Sequence, residues 1–571
     1  MSALQRRLAQ DQERICSAGM VSGTAAVAVP PVQPEIITPA TTDIEGPPSD
    51  ADVKAVQKAT AAEKKVEEAE RLKAAMSTLQ LFFDQHGASR LQVHRDNGRL
   101  DVPLTESTDA TDYIRSVLEG ASDKRASREV IESVVSRLRT SARATGVIRT
   151  VHLRVGNGAD AVLLDMARPD GAVIHIDATG HRVQPQGDTL FLRGSGTGAL
   201  PEPEQVTLAD AVSTLQDYFS HLGIQAADDD VMLVLLADWI RPETPKPLLE
   251  ITGTAGAGKT SAAVGLMHIT DPTASGGLPS MRLTEEDVMA ALQHRYGLHV
   301  DNANRLTADQ QDLLCRICTG GVLMHRKLYE QGTVVAVTML NPMTITGITP
   351  VITRSDARSR TIAITLKPRV TGIESAIDVR TKFEALHPRL LGAVCAILSA
   401  GLAGLNKVKS QRKYEHRLAD FEQLGEAIHQ ARGWPPGEFG RIMAERRRTD
   451  AARVAEEDGL IAAIVKAIDK YQVHAVVRMA PPPARQWAKT VGATAWLDGT
   501  GNVFIAFTMR QLLKEVQHGM PFGDGDRVPG NEKALRHAIT HKQPTFEALG
   551  WTVTLRNIND RSGVIFGKAG V

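Results

Sequence analysis

The stretch from Pro247 to Thr260, Pro-Leu-Leu-Glu-Ile-Thr-Gly-Thr-Ala-Gly-Ala-Gly-Lys-Thr, constrains this chain more than any other. Leu248, Leu249 and Ile251 read as a strand that enters Gly253-x-x-x-x-Gly258-Lys259-Thr260, and Ser261 to Met267 read as a helix. Strand, glycine-rich turn and helix in that order are the setting of a phosphate-binding loop. The backbone N–H groups of Gly253, Thr254, Ala255, Gly256, Ala257 and Gly258 can curl around phosphate oxygens, and the helix from Ser261 points its positive end at them. Lys259 is placed to reach the terminal phosphates, and the Thr260 hydroxyl to ligate Mg²⁺. The expected cofactors are ATP and Mg²⁺.

At 571 residues the chain is too long for one core and should divide into several domains. Its 66 basic and 66 acidic residues balance, so any surface for nucleic acid must be local. Cys16, Cys315, Cys318 and Cys395 are too few and too scattered for a disulfide framework and suggest a reducing cytoplasm. Cys315 and Cys318 form a C-x-x-C inside an apolar helical pattern, without a second ligand pair nearby, and read as a helix face. Acidic and polar residues interrupt the start, which does not read as a secretory signal. The longest apolar run, Leu390 to Leu405, holds 16 residues with three glycines, too short for a membrane span, and is expected to be a buried helix.

Composition divides the chain further. Residues 1–50 are expected to be a disordered tail, and 51–145 a helical region that begins with a long Ala/Glu/Lys helix to about His86. Residues 146–200 alternate like strands, with turns at Gly156-Asn157-Gly158 and Asp170-Gly171. Pro201-Glu-Pro203 looks like a linker. Residues 205–370 would then be the nucleotide-binding core, 371–470 a helical lid, and 475–571 a winged-helix-like domain of two helices and a terminal hairpin. In that last domain the helix from Asn531 carries Lys533 and Arg536, candidates for duplex DNA.

After the loop, Leu298-His-Val-Asp301-Asn302 reads as a short strand ending in an acid, which can hold the Mg²⁺ water shell in the Walker B role. Asn302 stands where a water-activating glutamate is usual, and an amide cannot accept the water's proton. Glu285, Glu286 and Asp287 remain candidate bases, or hydrolysis is slow. Further on come Thr319-Gly-Gly321, then His325-Arg326-Lys327-Leu-Tyr329, then the apolar run Val334 to Leu340 followed by Asn341-Pro342.

In that order of motifs the chain resembles the superfamily 3 helicases of the AAA+ class, and more closely the helicase-like ATP-binding proteins of phages, prophages and mobile elements. The resemblance spans about residues 145–445, most specifically 248–366. It implies an α/β P-loop NTPase core. It further implies that Asn341 is the sensor 1 residue, and that His325, Arg326 and Lys327 lie on or beside a hairpin that contacts DNA in a ring's channel. Arg360, or failing it Arg358, would be an arginine finger reaching the neighbouring subunit's ATP. The leading expectation is therefore an ATP-dependent DNA helicase or translocase, homo-hexameric, without a membrane partner, acting in replication in the cytoplasm of a bacterium or phage-infected cell. Two rivals stand beside it: an ATP-binding initiator or assembly switch with little hydrolysis, for which Asn302 speaks, and the ATPase of a phage-defence system.

Overall fold

The computed structural model describes residues 70–571 apart from 96–98, 106, 122–124, 195, 293, 327–333, 369–374, 412–416, 458, 473–493, 499–500, 520–528, 559–560 and 569–571. The expected tail, most of the Ala/Glu/Lys helix, and Lys327 lie outside the described residues. The end of that helix, residues 70–78, is helical, but the chain then turns into strands and not on to His86. These are β1 (Gln80–Asp84), β2 (Ser89–His94) and β3 (Leu100–Asp101). After them come α1 (Thr108–Gly120), α2 (Arg128–Thr145) and β4 (Ile148–Arg149), giving a sheet of order β3-β2-β1-β4. Residues 51–145 are thus not uniformly helical. Phe82 and Phe83 favour extended backbone. Asp84 closes the β1–β2 turn, its carboxylate accepting from His86 N and Ala88 N, with Gly87 at φ 75°. Leu91 and Val93 pack one sheet face against α1 and α2, and Phe82 lies on the other face with Leu100 and Val151.

The strand-rich block holds β5 (Val151–His152), β6 (Val155–Gly158), β7 (Ala161–Asp165), β8 (Ala172–Asp177), β9 (Gly180–Pro185) and β10 (Leu190–Phe191). β6 to β9 form an antiparallel meander, and β10 pairs with β5 in parallel. The first hairpin turns at Ala159–Asp160, not at Gly156-Asn157-Gly158: Asp160 takes the left-handed conformation (φ 54°), so Asn157 and Gly158 stay in register with Val162 and Ala161. Pro201-Glu-Pro203 is packed, not a free linker. Leu200 beside it is buried and Glu204 N donates to Pro388 O.

The centre of the molecule follows: α3 (Leu208–His221), α4 (Asp229–Trp239), β11 (Leu248–Thr252), α5 (Lys259–His268), α6 (Glu285–Leu292), β12 (Leu298–Ala303) and α7 (Ala308–Thr319). Next are β13 (Val322–Arg326), β14 (Val334–Thr338), β15 (Met343–Gly347), α8 (Ser355–Arg358) and β16 (Thr361–Thr365). Four of these strands make an all-parallel sheet of order β12-β15-β11-β16. All five residues of β11 are buried, as a strand covered on both faces demands. The pair β13–β14 stands apart as an antiparallel hairpin. Helices α9 (Ala376–Gln411), α10 (Ala419–Ala431) and α11 (Glu438–Glu457) complete this part.

A single hydrophobic core runs from Val155 to Met443, taking in the meander, the parallel sheet and the helices after it. The expected divisions near residues 200 and 370 are therefore not breaks in packing. Helix α9 is long and apolar enough to cross a membrane, but Leu391, Val394, Cys395 and Leu398 on it are buried within this core.

The last unit has α12 (Gly459–Gln472), β17 (Thr494–Leu497), β18 (Val503–Thr508), α13 (Met509–Gly519), α14 (Glu532–Ala548), β19 (Trp551–Ile558) and β20 (Arg561–Lys568). Its sheet order is β17-β18-β20-β19. Leu460, Ile464 and Ile468 of α12 belong to this unit's core with Phe507, Leu535 and Phe566, so α12 is part of it and not of a lid reaching residue 470. α14 also extends beyond His541 and packs against α8 and α11, where Ser355 Oγ donates to His541 O.

Gly392 lets α9 lie directly on the 201–206 segment: a Cβ there would stand 2.0 Å from Glu204 O. We expect Gly392→Ala to lower stability by about 1–3 kcal/mol through this overpacking, where a helix glycine free of contacts would gain stability as alanine. A denaturant midpoint unchanged or raised in Gly392→Ala would contradict the packing described.

Candidate functional site

The glycine-rich loop leaves the carboxyl end of β11 at the middle of the parallel sheet. Gly253, Gly256 and Gly258 have φ of 156°, 79° and 84°, values that side chains disfavour, so each glycine is required by the backbone. Gly258 is the N-cap of α5, whose first residue is Lys259. The Lys259 ammonium folds back over the loop and donates to Gly253 O and Thr254 O, both at 3.0 Å. Orphan N–H groups at the start of α5 and a lysine on the same turn make a positively polarised surface.

Thr260, the next residue, points at the tip of β12. Its hydroxyl donates to Asp301 Oδ1 at 2.9 Å, and Thr346 Oγ1 of β15 donates to the same oxygen at 2.5 Å. Partial burial pushes the Asp301 carboxyl up, but these two hydroxyls, with His299 nearby, outweigh it and hold the group below the ordinary aspartate range. His299, whose Nε2 is 3.7 Å from Asp301, has its own pKa pushed down by burial and bonds Thr344 Oγ1 through Nδ1. Ser280 Oγ accepts from Asp301 N. A carboxylate and a threonine hydroxyl held together are oxygen ligands of the kind Mg²⁺ takes when water and phosphate fill its other positions. Among the described residues no group of three or more His, Cys, Asp or Glu forms a metal cage.

Asn302 sits on a β-bulge. The register of β12 against β15 shifts between Val300 and Ala303, and Asn302 is left-handed at φ 52° with its N–H donating to Thr346 Oγ1 at 2.8 Å. Its side chain is exposed. Asparagine tolerates this conformation better than glutamate or branched residues, which gives a backbone reason for an amide here. Of the acids considered as bases, Glu285 is paired with Arg316.

Asn341 is misplaced by the sequence reading. The strand that joins the parallel sheet is β15, and Asn341 precedes its amino end, because Met343 pairs with Leu248 and Gly347 with Thr252. Five residues at ~3.3 Å each put Asn341 roughly 16 Å from the loop. There it is 8% exposed, its amide donating to Tyr296 O at 2.8 Å. It clamps the approach to β12 and, with Pro342, stands at the amino end of β15, away from the strand end where a sensor 1 residue is expected. The polar residue at the correct strand end is Thr346, which the sequence reading missed.

Arg360 and Arg358 also lie at the amino end of the sheet, away from their own chain's loop. Arg360 donates to Asp356 O at 2.6 Å and Arg358 to Ile352 O at 2.9 Å, and their side chains are 14% and 13% exposed. Arg354, on the same segment, is 43% exposed and pairs with Asp312. Two buried side chains hold this segment. Glu250 of β11 accepts from Val351 N and Ile352 N, and Gln311 of α7 from Thr353 N and Arg354 N. His325 and Arg326 end β13, opposite Val335 and Val334 of the hairpin, and Met324 beside them is 71% exposed. Lys533 is exposed near the start of α14, while Arg536 donates to Ser562 Oγ at 2.6 Å.

Compared with known families, residues 219–442 match the model of the actinomycete integrative conjugative element replication protein. That stretch is similar to a mobile-element replication protein. No curated protein matches the chain. Among solved structures, an apo NrS-1 C-terminal region aligns over 88% of this chain and 98% of that one, at 10% identity and a TM-score of 0.37. A JCV helicase bound to a small molecule aligns over 39% and 67%, at 13% identity and 0.17. At such TM-scores neither likeness bears on this chain.

The bulge yields a direct expectation. Asn302→Gly should leave stability within about 0.5 kcal/mol, whereas Asn302→Val should cost about 1–3 kcal/mol for a branched residue at positive φ. Denaturant unfolding of the two variants measures this; equal stability would remove the backbone explanation for Asn302.

Proposed function

We propose that the chain is an ATP-dependent DNA helicase or translocase acting in the replication of a mobile element or phage, in the cytoplasm of its host cell. The observation that carries this is the Asp301 carboxylate held between Thr260 of the loop helix and Thr346 of the neighbouring strand, within the stretch similar to a replication protein. In this reading the Gly253–Gly258 loop and Lys259 hold the ATP phosphates in a P-loop NTPase core of the superfamily 3 and AAA+ kind. Thr260 and Asp301 hold hydrated Mg²⁺, and Thr346 takes the strand-end position that Asn341 does not occupy.

The arginine segment at the far end of the sheet cannot serve its own nucleotide. In a ring of subunits, a hexamer as the family resemblance implies, it would face the next subunit's ATP, with Arg360 or Arg358 leaving its internal partners as the interface closes. The β13–β14 hairpin with His325, Arg326 and Lys327 would line the channel and hold DNA phosphates without reading sequence. Helix α12, strand β18, helices α13 and α14 and the β19–β20 hairpin follow the order of a winged helix, with α14 and Lys533 facing duplex DNA. A second reading, an ATP-dependent assembly switch, draws on Asn302: the side chain beside Asp301 cannot act as a base.

Three variants test the site. Lys259→Ala should abolish ATP hydrolysis in a folded protein. Thr346→Val removes a hydrogen bond to a charged group worth about 1.5–3 kcal/mol and should weaken Mg²⁺-dependent turnover roughly tenfold or more. Asn341→Ala should change stability and leave turnover per folded molecule near that of the wild type. Reversal of the last two results would restore Asn341 as the sensor.

The ring is tested by mixing. Arg360→Ala should bind ATP normally and lose on the order of 10³–10⁵ in rate, and mixing it with Lys259→Ala should recover part of the activity. Failure of such mixing for both Arg360 and Arg358 variants, with a rate per subunit independent of protein concentration, would leave the switch reading.

A further inference from the structure

Between Glu132 and Asp160 the chain carries Arg137, Arg139, Arg143, Arg149 and Arg154 and not one aspartate or glutamate. Arg154 is fully buried and bonded to Asp271. The other four lie on α2 and β4, outside the nucleotide site. Arg137 and Arg143 are exposed, and Arg139 is tied to Ser89 and Thr105. Beside them, where the edge of β1 runs on past β4, lies a cleft of about 350 Å³ lined by Leu79, Leu81, Phe82, Leu138 and Val147 with Gln92 at the polar side. Among the described residues no carboxylate lines it. The Arg149 guanidinium stands 5.4 Å over the Phe82 ring and donates to Gln92 Oε1 at 2.6 Å. Arg143 lies 5.7 Å over the ring of Phe83, the residue that pairs with Ile148. At the rim Val147 and Ile148 are 53% and 70% exposed.

We propose that this cleft binds single-stranded DNA, one unstacked base entering it while Arg137, Arg143 and Arg149 hold the flanking phosphates. An apolar cleft alone suits many ligands, and a row of arginines alone suits any polyanion. The two together suit a polyanion that carries flat apolar faces. Single-strand binding elsewhere combines a cationic track with aromatic or guanidinium planes on which bases stack. The volume is at the lower end of ligand pockets, enough for a base and too little for a helix of a protein partner. The choice of DNA over an acidic peptide rests on the replication reading above. The cleft would be a second DNA contact, distinct from the β13–β14 hairpin and placed ahead of the glycine loop in the chain.

The experiment uses the full-length protein without nucleotide, with fluorescent oligothymidylate and anisotropy as readout across a salt series. Arg137→Glu with Arg143→Glu should weaken binding at least tenfold and flatten the slope of log affinity against log salt by about 1.4, from ~0.7 per lost phosphate contact. Thr145→Trp, on the cleft wall, should weaken binding several-fold without changing that slope. The pair of lysine replacements at 137 and 143 should retain affinity, and DNA-free ATPase activity should be unchanged throughout, which separates lost contacts from lost folding. Photocross-linking with iododeoxyuridine should mark residues 79–83 or 138–149. Unchanged affinity in both variants overturns the proposal, as do adducts confined to the 322–326 hairpin, which would leave the motor reading standing. Displacement of the oligonucleotide by polyglutamate without adducts in the cleft overturns it in favour of an acidic protein partner. A wild-type protein that binds no DNA overturns both this proposal and the motor reading.

Discussion

One carboxylate oxygen holds the centre of this molecule in place. Asp301 Oδ1 accepts from Thr260, on the helix that follows the glycine loop, and from Thr346, on the strand between β11 and β12. Three elements that meet at the end of the parallel sheet are thereby fixed relative to one another. The net effect of burial and these bonds holds the acid below the ordinary aspartate range. Because the backbone of Asn302 also donates to Thr346, the hydroxyl is held from both sides, and the bulge that permits this forces a left-handed residue beside the acid. The departure from the usual acid pair is therefore part of the geometry that positions Asp301.

The same sheet carries a connection to its other end. Glu250 lies in β11, the strand that delivers the glycine loop, and its carboxylate accepts from two successive N–H groups at Val351 and Ile352. Gln311 does the same for Thr353 and Arg354. Both side chains are buried, so neither bond is readily exchanged for water. A shift of β11 along its axis must therefore move the arginine segment or break the buried bonds from Glu250. That ties the strand that carries the glycine loop to the arginine segment at the other end of the sheet.

How much of this was legible beforehand depended on the range of the interaction. The glycine loop and its lysine are readable because strand, loop and helix are contiguous and the glycines are demanded locally. Asp301 was readable as the end of a short apolar strand. Asn341 was not, because two apolar runs, Val334–Leu340 and Met343–Ile348, stand on either side of it and periodicity does not say which one joins the sheet. Hydrogen bonding with Leu248–Thr252 decides for the second, and the sensor-like position passes to Thr346. Residues 79–86 failed for a related reason: the Ala/Glu/Lys pattern runs up to Met76, and only pairing with Ser89–Gln92 makes the following phenylalanines a strand. Glu250 and Gln311 gave no signal, since a lone acid in an apolar strand and a lone amide in a helix acquire meaning only from the backbone that they meet.

The C-terminal unit adds the last mechanical element. Its helix α14 does not float beside the sheet but rests on α8 and α11, and the Ser355 hydroxyl binds the carbonyl of His541. Ser355 opens the short helix that ends in Arg358, so a ligand that pulls on α14 pulls on the segment held by Glu250 and Gln311. The chain from β11 to residues 351–354, to α8 and then to α14 is continuous, and its links at Glu250, Gln311 and Ser355 are side-chain bonds to backbone groups. Its weakest link is the single exposed bond from Ser355. The mechanical link from the C-terminal unit towards the glycine loop therefore runs through that contact and the α8–α14 packing around it, and these are softer than the buried bonds of the sheet.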